Sequence, residues 1–495
     1  MLSENKHFFA SIHNTAIYSD IVLKDINLMT TEYRTGNKMI HQKCVWSISM
    51  IKTLTKRPFF SNFQQKKKLA KSLSGILAIL LAAPVPTSLA ASATPINLPL
   101  INISQLQYIG GFRVPYGTFG ASGTQYAEGP IAVVPGGTSM FIVGKTKDQA
   151  IAEISIPQLV NDNLDITNLN IATVLQPFRM VLPAPSSGNP QRLDRIGGMA
   201  LVNGKLLVNA FEYYDADTNV THTTMVINNP LKLASSSIDG YYAVSGRAHV
   251  AGWISPVPTN LQSSLGGTHL MGHSTGTPII SRHSVGPSAF AISPASQMIG
   301  ASPGSSISTT KLMDFSLSKP AGDTQGQGAA YLDNTIKTNN LWTRISDAAY
   351  GFIVPGTRTY LTIGHTGGIT NGIGYKITQD TGYKCPGPCS FVRADNYNYY
   401  WLWDVNDLLA VKNGQMNAYD VMPYAYGKFN APFQGKGLKK IIGGSFDDQK
   451  SILYLTLEDA DYLQNQYNPT PVIIAYKIPL ALRFNPPSIL NVQVK

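Results

Sequence analysis

The sequence predicts an all-β protein, a β-propeller of five blades, on three observations. Gly and Pro punctuate short runs of β-branched and aromatic residues. No amphipathic stretch longer than about ten residues interrupts those runs. One meander pattern also recurs along the chain, about 60–90 residues apart. Its clearest copy spans Gly129 to Pro157: strand Ile131–Val134, turn Pro135-Gly-Gly-Thr138, strand Ser139–Gly144, turn Thr146-Lys-Asp-Gln149, strand Ala150–Ile156. Val354-Pro-Gly-Thr-Arg-Thr-Tyr-Leu-Thr-Ile-Gly364 repeats Val134–Gly144 with one turn residue deleted. Met199–Val208 is a third version, with Asn203-Gly204 at the hairpin tip where positive φ is needed. Gly286–Ile292 opens a fourth and Ile441–Thr456 a fifth, so innermost strands are expected near 131, 199, 288, 352 and 442. Radial repetition of such meanders leaves few exposed strand edges. A β-sandwich followed by a second β domain is the competing arrangement, and the repeat favours the propeller.

The propeller is assigned to residues 94–495. The chain has 495 residues and a formal charge of +11, which would suggest a nucleic-acid or membrane-surface protein. Location of the charges removes that reading. Residues 1–93 contain 12 of the 39 Lys and Arg and 4 of the 28 Asp and Glu, so the remaining 402 residues are close to neutral. No electrostatic footprint for nucleic acid is left.

Lys66, Lys67, Lys68 and Lys71 precede an apolar run from Leu73 to Ala83, then Pro84, Pro86 and the small-residue exit Ser88-Leu-Ala-Ala-Ser-Ala93. A basic flank, a short apolar core and such an exit make a signal-peptide region over residues 50–93, with cleavage after Ala90 or Ala93. The run is too short to span a bilayer, which takes about 20 apolar residues, so no membrane span is expected in the mature chain. Residues 1–49 read as an over-extended gene start or a disordered extension. The expected location is periplasmic or extracellular. Cys385 and Cys389 flank Pro-Gly-Pro, and in an oxidising compartment they are expected to form a small-loop disulfide. A metal pair would need two further ligands.

Tyr108-Ile-Gly-Gly-Phe-Arg-Val-Pro115, Ile279-Ile-Ser-Arg-His-Ser-Val-Gly-Pro-Ser-Ala289 and Tyr400-Trp-Leu-Trp-Asp404 through Gly414 carry a resemblance. Across about Leu106–Asp461 the chain resembles a group of uncharacterised secreted bacterial β-propeller-like proteins. The resemblance implies fold and export and no reaction. The turn that reads His-Asp-Trp-Asp-Gln in the group is Lys145-Thr-Lys-Asp-Gln149 here, and only the Cys385–Cys389 pair remains of a more cysteine-rich region.

Several constellations bear on chemistry. Gly272-His-Ser-Thr-Gly276 matches the nucleophile elbow in letters, and Asp347 and His365 follow it in the order a triad needs. Neither a clear strand before it nor a helix after it supports the elbow. His269 and His273 stand four apart, but the segment is too glycine-rich for a helix that would present both to a metal. His365, in Gly364-His-Thr-Gly-Gly368, lies just past a blade strand, where glycines let a ligand approach the backbone. With Arg282 and Arg195 it forms the expected ligand-binding set, three donors at one channel mouth for an anionic or hydroxyl-rich ligand. Arg344 is similarly placed. The arginines could equally tie loops together through backbone carbonyls. Beyond residue 93 only Glu128, Glu153, Glu212 and Glu458 are glutamates. Glu128 and Glu212 are the candidate catalytic carboxylates, with Asp194 and Asp347 also near blade starts. Trp253, Trp342, Trp401, Trp403 and the many tyrosines suit either sugar stacking or sheet packing. No cofactor or metal is expected. The expected function is a monomeric binding or interaction module for a small molecule, glycan or protein; the alternative is a glycan-active hydrolase using carboxylates at the channel.

Overall fold

A computed structural model describes residues 96–435 and 437–478, together with a separate two-residue ladder of Arg34–Thr35 on Lys38–Met39. The signal-peptide region and the N-terminal extension lie outside the described part of the propeller unit. Five antiparallel sheets follow one another along that unit. Blade 1 comprises Ile131–Val133, Ser139–Val143, Ala150–Ser155 and Val174–Met180. Blade 2 comprises Arg195–Val202, Lys205–Phe211, Thr224–Ile227 and Ile238–Val244, and Ser306–Ile307 adds to its outer edge in parallel. Blade 3 comprises Ile254–Pro256, His269–Met271, Ala289–Ile292 and Thr310–Met313. Blade 4 comprises Asp347–Ile353, Thr359–Gly367, Asn396–Asp404 and Ala425–Lys428. Blade 5 takes Ile441–Asp447, Ile452–Asp461 and Thr470–Lys477 from the end of the chain, and its outermost strand, Gln107–Arg113, from before blade 1.

The first strand of each blade contacts the first strands of its neighbours, which closes a ring around the axis. This is the expected five-bladed propeller. Blade 1 agrees with the sequence reading strand by strand. The Asn203-Gly204 tip is also as expected, with φ of 48° and 72°. Blade 3 requires a correction. Gly286–Ile292 belongs to the third strand, and the innermost strand is Ile254–Pro256, thirty-odd residues earlier in the sequence. That strand has only three residues and follows a 3-10 turn at Arg247–Val250, so it has no alternating pattern long enough to read.

Glycine permits the tight ring. A Cβ on Gly443 would lie 2.0 Å from the Gly129 carbonyl oxygen, and one on Gly198 would lie 2.3 Å from that of Gly252. Adjacent inner strands therefore touch backbone to backbone. Away from the axis, apolar side chains fill the spaces between blades. Leu206, Val208 and Met225 of blade 2 join Phe141 and Val143 of blade 1, while Leu207 and Val226, on the other face of blade 2, join Met271 and Phe290 of blade 3. Each blade is thus apolar on both faces. Polar groups buried there include a relay in which Trp253 donates to the Tyr360 hydroxyl (3.1 Å), which donates to the Ser288 carbonyl (3.0 Å).

Where the two chain ends meet in blade 5, Arg113 grips Asp461 through two hydrogen bonds of 2.8 and 3.2 Å, both side chains buried. Cys385 and Cys389 are bonded to each other, Cα atoms 6.4 Å apart, beside the small ladder of Ile373–Tyr375 on Pro388–Ser390 in blade 4.

Two outcomes follow for stability. Arg113→Met leaves the Asp461 carboxylate buried without its cation and should cost about 3–5 kcal/mol in urea denaturation. Replacing both Cys385 and Cys389 by Ser should cost about 2 kcal/mol or less, because the closed loop is short.

Candidate functional site

All five inner strands begin at the same end of the channel. There, residues from every blade enclose a cleft of about 60 Å³, lined by Glu128 and Pro130 of blade 1, Gly197 of blade 2, Trp253 and His273 of blade 3, Asp347 of blade 4 and Ile442 of blade 5. Asp347 opens the inner strand of blade 4. Its Oδ2 accepts from the Thr275 hydroxyl at 2.9 Å. The carboxyl retains some contact with solvent but sits deep in the fold. Burial pushes its pKa up to about 7, against the opposing pull of the Thr275 hydrogen bond and the Lys440 ammonium; the Glu128 charge adds to the rise.

Glu128 immediately precedes the inner strand of blade 1. Burial also raises its carboxyl above the ordinary glutamate value, although hydrogen bonds from Thr146 and Gln149 and the charge of Arg195 favour the ionised form. Arg195 Nε lies 3.6 Å from Glu128 Oε1, and the guanidinium stands 4.8 Å over the Tyr213 ring. Gln149 joins blade 1 to blade 2, its Oε1 accepting from the Ile196 amide at 2.6 Å. The cleft therefore holds two carboxyls from non-adjacent blades, each biased toward its protonated form, with cations paired to or near both.

Gly272–Gly276 belongs to this site by a route other than the nucleophile elbow. Ser274 Oγ accepts from the Ala348 amide (2.9 Å), so it braces the start of the blade 4 strand. Asp347 and His365 face each other in register on adjacent strands. Neither is bonded to Ser274: Asp347 holds Thr275, and His365 Nδ1 donates to the Ile441 carbonyl at 3.2 Å. Burial and the Lys440 charge push the His365 pKa down to about 3, which keeps the ring neutral. His269 and His273 are separated by the length of a strand, as no helix forms. His269 lies at the far end of the channel and His273 lines this cleft.

The expected trio of donors is not one set. Arg195 forms part of the cleft wall through Glu128. Arg282 is fully engaged by Asp215, at 2.5 and 3.1 Å, and by the Val220 carbonyl at 3.2 Å. Asp215 is itself buried, with His283 Nε2 3.4 Å away; His283 Nδ1 meets His273 Nε2 at 3.0 Å. His365 is committed to blade 5. Glu212 requires correction as the partner of Glu128: it lies outside the cleft, and its carboxyl is raised by partial burial and by Asp215, Asp194 and Asp217. The second carboxyl lining the cleft is that of Asp347. Glu153 is structural, accepting from Ser139 and Gln176, both at 2.6 Å. Glu458 pairs with Lys440 (3.7 Å), and Arg344 with Asp333 (3.1 Å). Among the described residues, no group of three or more His, Cys, Asp or Glu is placed to hold a metal ion.

The raised Asp347 pKa makes a signed prediction. Between about pH 4 and pH 7 the folded protein keeps a proton that the unfolded chain releases, so this group's contribution to stability falls as pH rises through that window. Asp347→Asn removes the dependence. Its stability relative to the unsubstituted protein should improve steadily from pH 4.5 to pH 8 in urea denaturation, and a flat difference would contradict the assignment.

No family profile matches the chain, and no curated protein does. Among solved structures, the chain is similar to one from the GH130 family of mannoside phosphorylases, which contains glycoside hydrolases that target β-1,2 mannosidic linkages in Candida mannan. The identity is 10%, covering 78% of this chain and 96% of that one, with a TM-score of 0.34. It is also similar to the α-L-arabinofuranosidase PaAbf62A from Podospora anserina, solved with cellotriose, at 10% identity over 75% of this chain and 98% of that one, TM-score 0.32.

Proposed function

We propose that this protein is an exported glycan-active hydrolase whose reaction takes place at the mouth shared by Glu128 and Asp347. The observation that supports this is a carboxyl still protonated near neutral pH, Asp347, in one cleft with a second carboxyl from another blade. Cleavage of a glycosidic bond needs that division of labour: one carboxylic acid protonates the leaving oxygen, and one carboxylate activates water or attacks the anomeric carbon. Asp347 is the acid. Glu128, raised by burial but held toward its ionised form by Thr146, Arg195 and Gln149, is the carboxylate. A cleft of about 60 Å³ has room for the reacting oxygen and a water. The sugar rings would lie across the mouth, near exposed rings such as Tyr126 and Tyr214 on loops at that end. Because Arg195 and Arg282 are both paired to carboxylates, a neutral, hydroxyl-rich ligand fits better than an anionic one. Export rests on the basic and apolar run before Ala93 and on the Cys385–Cys389 bond.

The small cleft favours one rival, a glycan-binding module that uses the same mouth without turnover. A screen of the purified protein against oligosaccharides, scored by reducing ends released, separates the two. The hydrolase reading expects Asp347→Asn and Glu128→Gln each to lower kcat by about 10²–10⁴-fold, the range for loss of a general acid or base. Activity should fall as pH rises past 7, as Asp347 loses its proton. Oligosaccharide binding without release of ends, retained in Asp347→Asn, would establish the binding module instead.

A further inference from the structure

Three buried side chains beside the cleft form a relay that the proposed hydrolysis does not use. Asp215 Oδ2 lies 3.4 Å from His283 Nε2, and His283 Nδ1 lies 3.0 Å from His273 Nε2. All three residues are buried, and His273 lines the cleft beside Ser274 and Thr275. The two imidazoles meet edge to face, both packed on Phe211. Backbone contacts hold the rings in place. Ser288 Oγ accepts from the His273 amide at 2.9 Å, and the His283 carbonyl accepts from the Thr275 amide at 2.9 Å. Thr275 is the residue whose hydroxyl donates to Asp347, so the relay and the acid share a wall.

The charge of Asp215 decides where the ring protons sit. Burial opposes that charge, but contacts with His283 and Arg282 hold the carboxyl below the ordinary aspartate range, as an anion that only accepts. At 3.4 Å its contact with His283 is electrostatic, not a well-formed hydrogen bond, yet the sign is decisive. A lone pair turned toward the anion would be repelled, so His283 carries its proton on Nε2. Burial keeps both rings neutral. His283 Nδ1 is then an acceptor, and His273 supplies the proton from Nε2. What remains is the lone pair on His273 Nδ1. That nitrogen has no hydrogen-bond partner among the described residues, and it is not sealed from solvent as His283 Nε2 is. A Cβ on Gly252, in the same cleft wall, would lie 2.8 Å from it; glycine leaves it uncovered.

We propose that His273 Nδ1 is the acceptor for one ligand hydroxyl reaching into the cleft, and that Asp215 and His283 are positioning residues that fix its tautomer. This role rests on reading the cleft as the glycan site. The walls then sort donors from acceptors: Asp347 offers a proton, while Glu128 and His273 Nδ1 accept one. A ligand group without an O–H leaves His273 Nδ1 desolvated and unfilled, which disfavours it.

Histidine labelled with 15N in the full chain, free of ligand, reads both tautomers by NMR at pH 7. His273 and His283 should each carry their proton on Nε2. A proton on His273 Nδ1, or a charged His273 ring, would overturn the relay. His283→Phe removes the acceptor of His273 Nε2, and the proton should move to Nδ1, where water can take its hydrogen bond; a proton that stays on Nε2 counts against positioning by His283. Methyl glycosides of glucose, mannose, xylose and arabinose, each with its monodeoxy analogues, test the hydroxyl by calorimetry. For a glycoside that binds, one deoxy position should lose about tenfold or more in affinity. That loss should vanish in His273→Phe, which keeps a ring against Phe211. A bound or cleaved glycoside whose deoxy analogues respond alike with and without His273 overturns this role and leaves the hydrolase reading standing. Coupling to His273 without any turnover supports the role and sinks the hydrolase. Binding of none of the glycosides overturns both.

Discussion

The fold depends on one junction, the pairing of Gln107–Arg113 with Thr470–Lys477. The four antiparallel strands of each other blade are consecutive among the blade strands, apart from the short Ser306–Ile307 edge lent to blade 2, whereas blade 5 is complete only when a strand from near residue 110 joins three strands from beyond residue 440. Both channel mouths take residues from all or nearly all blades, so both require the ring to close. The junction is reinforced by the loop between the third and fourth strands of blade 1: Val160 bridges to Gly111, and the Asn170 carbonyl accepts from the Arg113 amide at 2.8 Å. Arg113 on Asp461 adds a buried, two-point ionic contact to the same place. Contacts of such sequence separation form late and slowly, because loop-closure entropy opposes them.

The two ends of the channel differ because of which residues punctuate the inner strands. At the start of the strands, Gly129, Gly198, Gly252 and Gly443 allow backbones to meet within distances that no Cβ would permit. The result is a narrow cleft in which a carboxyl is deeply set and poorly hydrated. At the finish, Pro256 ends the inner strand of blade 3 and Pro355 follows that of blade 4, beside a wider funnel lined by both polar and apolar side chains. The same five strands therefore produce a tight mouth at one end and a wider one at the other. Asp347 acquires its raised pKa from the first of these conditions, since burial outweighs the Thr275 hydroxyl, the Lys440 charge and the Gly276 amide, which favour its charge.

Much of the architecture was legible because its signals are local. The blade 1 meander, the Asn203-Gly204 tip and the Cys385–Cys389 pair follow from residues a few positions apart. Blade 3 was not legible at its inner strand, as three residues from Ile254 carry no period. The site was legible in part. Glu128 and Asp347 could be seen near blade starts, but the choice of Glu212 as partner depended on a distance that sequence does not carry. Gly272–Gly276 has the letters of a nucleophile motif, but its contribution is the Thr275 hydroxyl on Asp347 and Ser274 on the Ala348 amide. The arginines looked available because their carboxylates, Asp215 and Glu128, are 67 residues away in each case.

Titration of Asp347 by carboxyl-carbon NMR in aspartate-labelled protein tests the central claim, that the closed ring holds this side chain protonated near neutral pH. The account predicts a midpoint close to 7, shifted downward in Glu128→Gln, where a neighbouring negative charge has been removed. A midpoint near 4 in the folded protein, or one indifferent to Glu128, would contradict it.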